Sequence, residues 1–146
     1  MDLPAHLTGD DAQAYVLGAN VFMRDGHCVT CHQKTGAGLD PIYPPLAGSP
    51  WVTGSEERLT KLVLHGLWGP IEVNGKTYDP AKGIPPMTQF AALLKDEEIA
   101  AVLTYVGQRW HEWKNPVDPA LVAQVRKETA ERKQPWTHEE LKTVAK

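Results

Sequence analysis

Cys28 and Cys31 are the only cysteines in this chain of 146 residues, and His32 directly follows the second of them. Two thiols at this spacing suit one tight turn, where each can add to one vinyl group of a haem. The imidazole that follows is then held next to the iron and can serve as an axial ligand. The run Cys28-Val29-Thr30-Cys31-His32 therefore predicts one covalently attached c-type haem, with His32 as a ligand of its iron.

Two other kinds of site use a cysteine pair at this spacing, and each requires something further from the chain. A closed zinc site needs four ligands, but the remaining histidines contain no second pair at comparable spacing (His6, His27, His65, His111 and His138). A thiol–disulfide redox motif normally lies in a βαβ unit, whereas the flanks of this motif have helical patterns. The sequence therefore favours the haem.

A six-coordinate iron needs a ligand on the face opposite His32, and Met87 is the candidate. It follows Ile84-Pro85-Pro86, and the two prolines restrict the backbone that leads to it. A thioether is a weak ligand, so we expect a stiff loop to present it. The alternative role for Met87 is to fill a gap in the core, which is the usual use of methionine.

Other residues with ligand or ring chemistry are expected to have structural roles. His65 competes with Met87 for the iron, although a place at its helix end or at the surface suits it better. Met23 is expected to pack rather than to bind iron, and three histidines are expected to lie in solvent (His27, His111 and His138). Packing is likewise the stronger expectation for three aromatic residues near the predicted site (Trp51, Trp68 and Tyr78).

Composition and charge limit the class of protein. The formal net charge is -3 at pH 7 and 42% of the residues are hydrophobic, which is ordinary for one globular domain. A mildly acidic chain lacks the basic surface of a general nucleic-acid binder, and no apolar run approaches the length of a membrane span. Residues 1–4 do not resemble a signal peptide, yet c-type haem is attached outside the cytoplasm. We therefore expect a trimmed or excised periplasmic, or otherwise extracytoplasmic, protein.

Apolar periodicity and capping residues predict several helices and one hairpin. Asn74-Gly75 lies between alternating residues and indicates a two-residue turn within 71–78. Proline and glycine predict loops over 33–54 and 79–90. Five helices are expected. The first spans 8–25 with Thr8 or Asp10 as its cap, and the second spans 55–65 and is ended by Gly66. The third spans 96–113, is capped by Asp96 and is ended by Asn115-Pro116; a fourth spans 119–133, and a last one begins at Thr137, which forms a capping box with Glu140.

Over residues 10–113 this order of features resembles class I cytochrome c. The features are an N-terminal helix with Gly18 and Phe22, the Cys-x-x-Cys-His run, the loop Pro44-Pro45-Leu46-Ala47-Gly48, a late methionine and a last helix with Tyr105. The resemblance implies an all-α fold of short helices wrapped around one haem, and the residue pattern adds a small hairpin. We expect a haem domain over 8–114 and a helical C-terminal extension over 115–146, because the chain after Asn115 lies outside the minimal fold of the family.

The resemblance also assigns roles to particular residues. Gly18 would allow the first and last helices to approach closely, with Phe22 near Tyr105. A proline carbonyl would accept the Nδ1–H of His32, and Pro44 matches best, with Pro45 as the alternative. Met87 lacks the following proline found in many members, and the hairpin is not universal. The combination of Pro44-Pro45-Leu46-Ala47-Gly48-Ser49, Leu64-His65-Gly66-Leu67, the hairpin and a helical tail looks like haem domains attached to periplasmic dehydrogenases.

The expected function is one-electron transfer by a haem with His32 and Met87 as axial ligands, not catalysis by the chain itself. Electrons would pass between periplasmic redox partners, or come from a fused or associated dehydrogenase and go to an oxidase or another cytochrome. The first alternative is a haem enzyme or gas sensor with a displaceable sixth ligand. The second is an interaction module whose working part is 115–146. That extension could be a clamp over the haem domain or a docking arm.

Overall fold

Helices make up most of the regular structure in the computed structural model, which describes residues 3–40, 42–79 and 86–143. The mostly helical fold with one small hairpin is therefore confirmed. In chain order the elements are α1 (Gly9–Phe22), α2 (Cys28–His32), α3 (Pro50–Gly54), α4 (Glu56–His65), β1 (Ile71–Val73), β2 (Lys76–Tyr78), α5 (Asp96–Trp110), α6 (Pro119–Glu128) and α7 (His138–Lys142).

Helices α1 and α5 pack directly on each other through Gly18. A Cβ atom on Gly18 would lie 2.0 Å from the carbonyl oxygen of Ala101, so only a residue without a side chain permits this approach. The Tyr105 ring then lies 5.1 Å from the Tyr15 ring and 5.4 Å from the Phe22 ring, measured between centroids. The close approach and the Phe22–Tyr105 contact that the resemblance implied are both present.

Helix α4 and the hairpin begin and end as their local sequences predict. Ser55 Oγ accepts a hydrogen bond from the Arg58 amide at 3.2 Å, which caps α4, and Gly66 follows its last residue. In the hairpin, Ile71 pairs with Tyr78. Both turn residues have positive φ, 52° at Asn74 and 82° at Gly75, as a type I′ turn requires.

A short helix, α3, lies within the stretch predicted to be loop. Pro50 occupies its first turn, where the missing amide proton is not needed. Ser49 Oγ accepts from the Trp51 amide at 3.2 Å and caps the same turn. Pro50, one of the residues that indicated a loop, therefore begins a helix that Ser49 caps.

Several predicted helix boundaries are wrong by a few residues. Thr8 is the residue before α1, but its side chain makes no capping hydrogen bond, and the helix ends at Phe22 rather than 25. Lys95, not Asp96, precedes α5, where its amide donates to the Glu98 carboxylate at 2.9 Å. Helix α6 ends at Glu128 rather than 133.

Helix α5 ends at Trp110, three residues earlier than predicted, because the chain folds back on it. A Cβ on Gly107 would lie 2.1 Å from the Trp113 ring, which therefore covers the last turn of α5. The Asn115-Pro116 pair follows this reversal and does not cause it. Apolar periodicity alone does not show whether the helix continues to Trp113 or ends earlier, with the Trp113 ring folded back onto its last turn.

The C-terminal extension folds back over the rest of the chain. Val122 and Val125 of α6 are buried in the main core, which α1, α4 and α5 share. The Arg126 guanidinium donates to the Asp96 carboxylate at 2.7 Å, and to the carbonyl oxygens of Ala91 at 2.6 Å and Leu94 at 2.8 Å. The structure thus places this segment against the body of the protein. Among the helices of the described residues, none is long and apolar enough to cross a membrane.

Candidate functional site

The predicted haem-binding residues line one apolar cavity. Its volume is about 1290 Å³, counting the space at its open mouth. Cys28, Cys31 and His32 of α2 contribute to the lining, and Met87 does so from a distant part of the chain. Much of the remaining lining is apolar and comes from α4, α5 and the hairpin: Leu59, Leu62, Val63, Val102, Leu103, Val106, Ile71 and Val73. These walls suit a large flat apolar group.

The ring of His32 is held by the loop that follows α2. Its Nδ1 lies 2.8 Å from the carbonyl oxygen of Pro44, so Nδ1–H donates and Nε2 keeps a free lone pair. Desolvation lowers the pKa of His32, and the hydrogen bond to Pro44 opposes that effect. A neutral imidazole with its other nitrogen bonded to a carbonyl is the form that binds a metal. The acceptor in this structure is Pro44, not the alternative Pro45.

The loop reaches His32 because the chain reverses tightly after α2. The Gly38 amide donates to the carbonyl oxygen of His32 at 2.9 Å. At Gly38 φ is +69°, and a Cβ there would lie 2.4 Å from the carbonyl oxygen of Tyr43. Glycine at this position therefore lets the chain return to the ring at Pro44.

The two cysteine thiols are free and partly buried. Burial is the main cause that raises the pKa of Cys28 to about 12, with a smaller contribution from Cys31. A thiol with this pKa is protonated at neutral pH, so the environment of Cys28 does not activate it as a thiolate.

Met87 reaches the cavity through a short backbone pairing. Its amide donates to the carbonyl oxygen of Leu67 at 3.1 Å, and the two residues form an antiparallel bridge. The Met87 side chain is half-buried and packs in a small apolar cluster that includes Leu67, Ile71 and Leu141. Of the prolines predicted to stiffen this approach, Pro86 is described and exposed. Ile84 and Pro85 lie outside the described residues.

His65 is neither at the surface nor among the residues that line the cavity. It is only 6% exposed, and its Nε2 lies 2.7 Å from Thr129 Oγ1 of the C-terminal extension. The Trp136 ring lies edge-on to it at 6.2 Å. The expectation of a helix end was right and the expectation of a surface position was wrong, because the extension covers this end of α4.

Three further histidines, His27, His111 and His138, were expected in solvent, and each is half-buried instead. His27 lies 5.3 Å from the Phe90 ring and lines the cavity. His111 Nε2 lies 3.0 Å from the carbonyl oxygen of Leu46. His138 lies 5.3 Å from the Trp51 ring. Each of these partners is far from its histidine in the sequence, so no local pattern indicates the contact.

Among Met23, Trp51, Trp68 and Tyr78, two side chains line the cavity and the other two are exposed to solvent. Met23 does not pack in the core; it ends α1 and is 37% exposed. Trp51 and Tyr78 line the cavity, while Trp68 is 52% exposed. Trp51 and Tyr78 also pack in the apolar cluster that contains Leu67, so the expectation of packing holds for both and is wrong for Trp68.

Paired thiols, a pre-oriented neutral imidazole and apolar walls together define a site for a covalently attached haem. The family model for cytochrome c matches residues 15–110, and the chain belongs to the cytochrome c family. It is 40% identical over 112 residues to a cytochrome c-552 of Thermus thermophilus, a match covering 74% of this chain and 70% of that protein.

Similarity extends to subunits of larger enzymes. The chain is 26% identical over 113 residues to the cytochrome c subunit of a quinone alcohol dehydrogenase from Gluconacetobacter polyoxogenes, which covers 73% of this chain and 21% of that subunit. A corresponding subunit from Gluconobacter oxydans is 31% identical over 94 residues, covering 64% of this chain and 18% of the subunit. The chain therefore carries a covalently attached c-type haem with iron, and its function is haem-based electron transfer.

Proposed function

We propose that this chain is a one-electron carrier whose haem is bound through Cys28 and Cys31, with His32 and Met87 as axial ligands. The observation that supports this most directly is that one apolar cavity brings all four side chains together, although Met87 is far from the others in sequence. The division into a haem domain over 8–114 and an extension over 115–146 is part of the same proposal.

A bound haem supplies a one-electron couple between ferric and ferrous iron. The chain's own residues set the conditions for that couple. The Pro44 carbonyl fixes the His32 ring and strengthens its donor nitrogen. Apolar walls and a soft thioether sulfur both favour the less charged ferrous state, so they raise the reduction potential.

A dehydrogenase is the electron donor that the comparisons support. The relatives include cytochrome c subunits of quinone alcohol dehydrogenases, of which this chain matches about a fifth of the length. We propose that it accepts electrons from such an enzyme and passes them to an oxidase or another cytochrome, in the periplasm or another extracytoplasmic compartment. In this proposal the chain is the electron-transfer component of an oxidoreductase system and does not itself carry out catalysis.

The ligand assignment is tested with Met87→Ala in the haem-loaded protein. We expect the variant to lose the weak absorption band at about 700 nm that accompanies iron–thioether ligation, to have a lower potential and to bind added imidazole. Met23→Ala is the matched control, because Met23 is exposed at the end of α1. An unchanged spectrum in Met87→Ala would remove Met87 from the site, and absence of the band from the unaltered protein would favour His65 as ligand or an enzyme or gas sensor with an open iron.

The covalent attachment is tested by replacing Cys28 and Cys31 with alanine together. Acid–organic extraction should then remove all haem from the protein, whereas the unaltered chain should retain it. Haem that resists extraction from the double variant would contradict the attachment sites. His6→Ala serves as a control, since His6 is exposed and outside the cavity lining.

A further inference from the structure

Three short extended segments lie side by side next to the cavity, and the central one is at Leu67. On one side the Met87 amide donates to the Leu67 carbonyl oxygen at 3.1 Å. On the other side the Trp136 amide donates to the Gly66 carbonyl oxygen at 3.0 Å, and the Trp68 amide donates to the Trp136 carbonyl oxygen at 2.9 Å. Leu67 therefore pairs antiparallel with Met87 and parallel with Trp136.

This arrangement makes the backbone of residues 66–68 a common support for Met87 and for the C-terminal extension. Successive backbone groups of an extended segment point to opposite sides. The Leu67 carbonyl is thus available to Met87, while the groups of its two neighbours bond to Trp136. Two hydrogen bonds to Trp136 hold one edge of residues 66–68. They therefore restrict the movement of the Leu67 carbonyl, which bonds to Met87 on the other edge.

The Trp136 side chain is anchored independently of these backbone bonds. Its indole Nε1–H donates to the carbonyl oxygen of Lys61 on α4 at 2.8 Å. The Arg132 guanidinium lies 3.5 Å from the centre of the ring, a distance at which a cation and an aromatic face attract. Arg132 also donates to the Gln134 and Pro135 carbonyl oxygens, each at 2.8 Å, which shapes the turn before Trp136.

A second contact joins the same segments through side chains. Leu141 of α7 is fully buried in the small apolar cluster that contains Leu67. Met87 and Trp136 both pack against that cluster. We call residues 134–141 the strap, because they cover the side of residues 66–68 that faces away from Met87.

We propose that the strap positions Met87, with Trp136 as its main positioning residue. This inference rests on the proposed ligation by Met87. It assigns the extension a role at the haem. The strap keeps low the fraction of molecules in which Met87 has moved away from the iron. An added ligand that competes with Met87 binds only that population, so its apparent affinity measures how well the strap holds.

The experiment is an imidazole titration of the ferric, haem-loaded protein, followed by its absorption spectrum. Trp136→Ala should tighten the apparent binding of imidazole by about tenfold, which is what weakening one or two backbone hydrogen bonds produces. The absorption near about 700 nm should weaken in the same variant. Trp136→Phe keeps an aromatic ring against Arg132. This variant should therefore bind imidazole nearly as weakly as the unaltered protein does.

Two controls separate this role from general destabilisation. Trp68→Ala removes a neighbouring tryptophan whose side chain is 52% exposed, while its amide still bonds to Trp136. Val122→Ala weakens the packing of α6 in the main core without touching the strap. Both variants should bind imidazole within about twofold of the unaltered protein.

The outcomes of the strap proposal and of the ligand assignment are distinguishable. If Met87→Ala binds imidazole no better than the unaltered protein, the proposed ligand is wrong. If Met87→Ala opens the iron but Trp136→Ala does not tighten imidazole binding, the strap does not position Met87. Should Trp136→Ala fail to fold, Arg132→Gln decides: tighter binding supports the strap, and unchanged binding overturns it.

Discussion

Replacing Gly18 with alanine tests whether the contact between α1 and α5 holds the haem-binding fold together. The new Cβ would lie 2.0 Å from the Ala101 carbonyl oxygen and 2.8 Å from Tyr105 Cβ. Carbon atoms in contact prefer about 3.5 Å, so the helices would have to separate by more than about 1 Å. Neither obstacle can rotate away, because one is backbone and the other is a Cβ.

The expected loss in the free energy of unfolding is the difference between two opposing effects. Overpacking of a core costs about 1–3 kcal/mol, and a clash with backbone belongs at the upper end. Alanine regains about 1 kcal/mol over glycine inside a helix. The net loss is therefore about 2 kcal/mol, which corresponds to a decrease of about 6 °C in Tm for a chain of this size.

Thermal and urea unfolding of the haem-loaded protein, followed by far-ultraviolet circular dichroism, measure this loss. Gly54→Ala is the matched control, because the three atoms nearest to its Cβ would all belong to the guanidinium end of the flexible Arg58 side chain. That variant should lose less than about 1 kcal/mol. If Gly18→Ala were as stable as the unaltered protein, the close approach of α1 and α5 would not be what requires glycine.

Three further predictions concern the extension and the hairpin. Arg126→Ala should cost about 2 kcal/mol, because it removes three hydrogen bonds from α6 to Ala91, Leu94 and Asp96; Lys127→Ala, exposed on the same helix, is its control. Burial, and then Arg132 and Arg126, lower the pKa of His65, so the unfolded chain binds its proton first and stability should fall as pH drops below about 6.5. Unfolding titrations of His65→Gln should lack that part of the pH dependence, and an unchanged profile would contradict the assignment. Gly75→Ala should lose about 1 kcal/mol, since φ there is +82°; equal stability by urea unfolding would count against a type I′ turn.

Features contained within a few consecutive residues were predictable from the sequence. The Cys-x-x-Cys-His run places its thiols and imidazole on one turn by covalent connection alone. Ser55 and Thr137 begin helices, and Asn74-Gly75 forms the hairpin turn, because each of these patterns is satisfied by hydrogen bonds or backbone angles in its immediate neighbourhood. Tyr15, Gly18, Val21 and Phe22 recur at helical spacing, and this periodicity indicates the face of α1 that is buried.

Features that depend on segments far apart were decided only by the tertiary structure. The sequence left Pro44 and Pro45 open as partners of His32, and only the path of the loop selects Pro44. His65 was expected at a helix end or at the surface; it ends α4, yet the returning extension buries it against Trp136. Periodicity shows which face of a helix is apolar but not which distant segment covers that face. That choice depends on the packing of the whole chain, and so does the backbone pairing that joins the extension, through Leu67, to Met87.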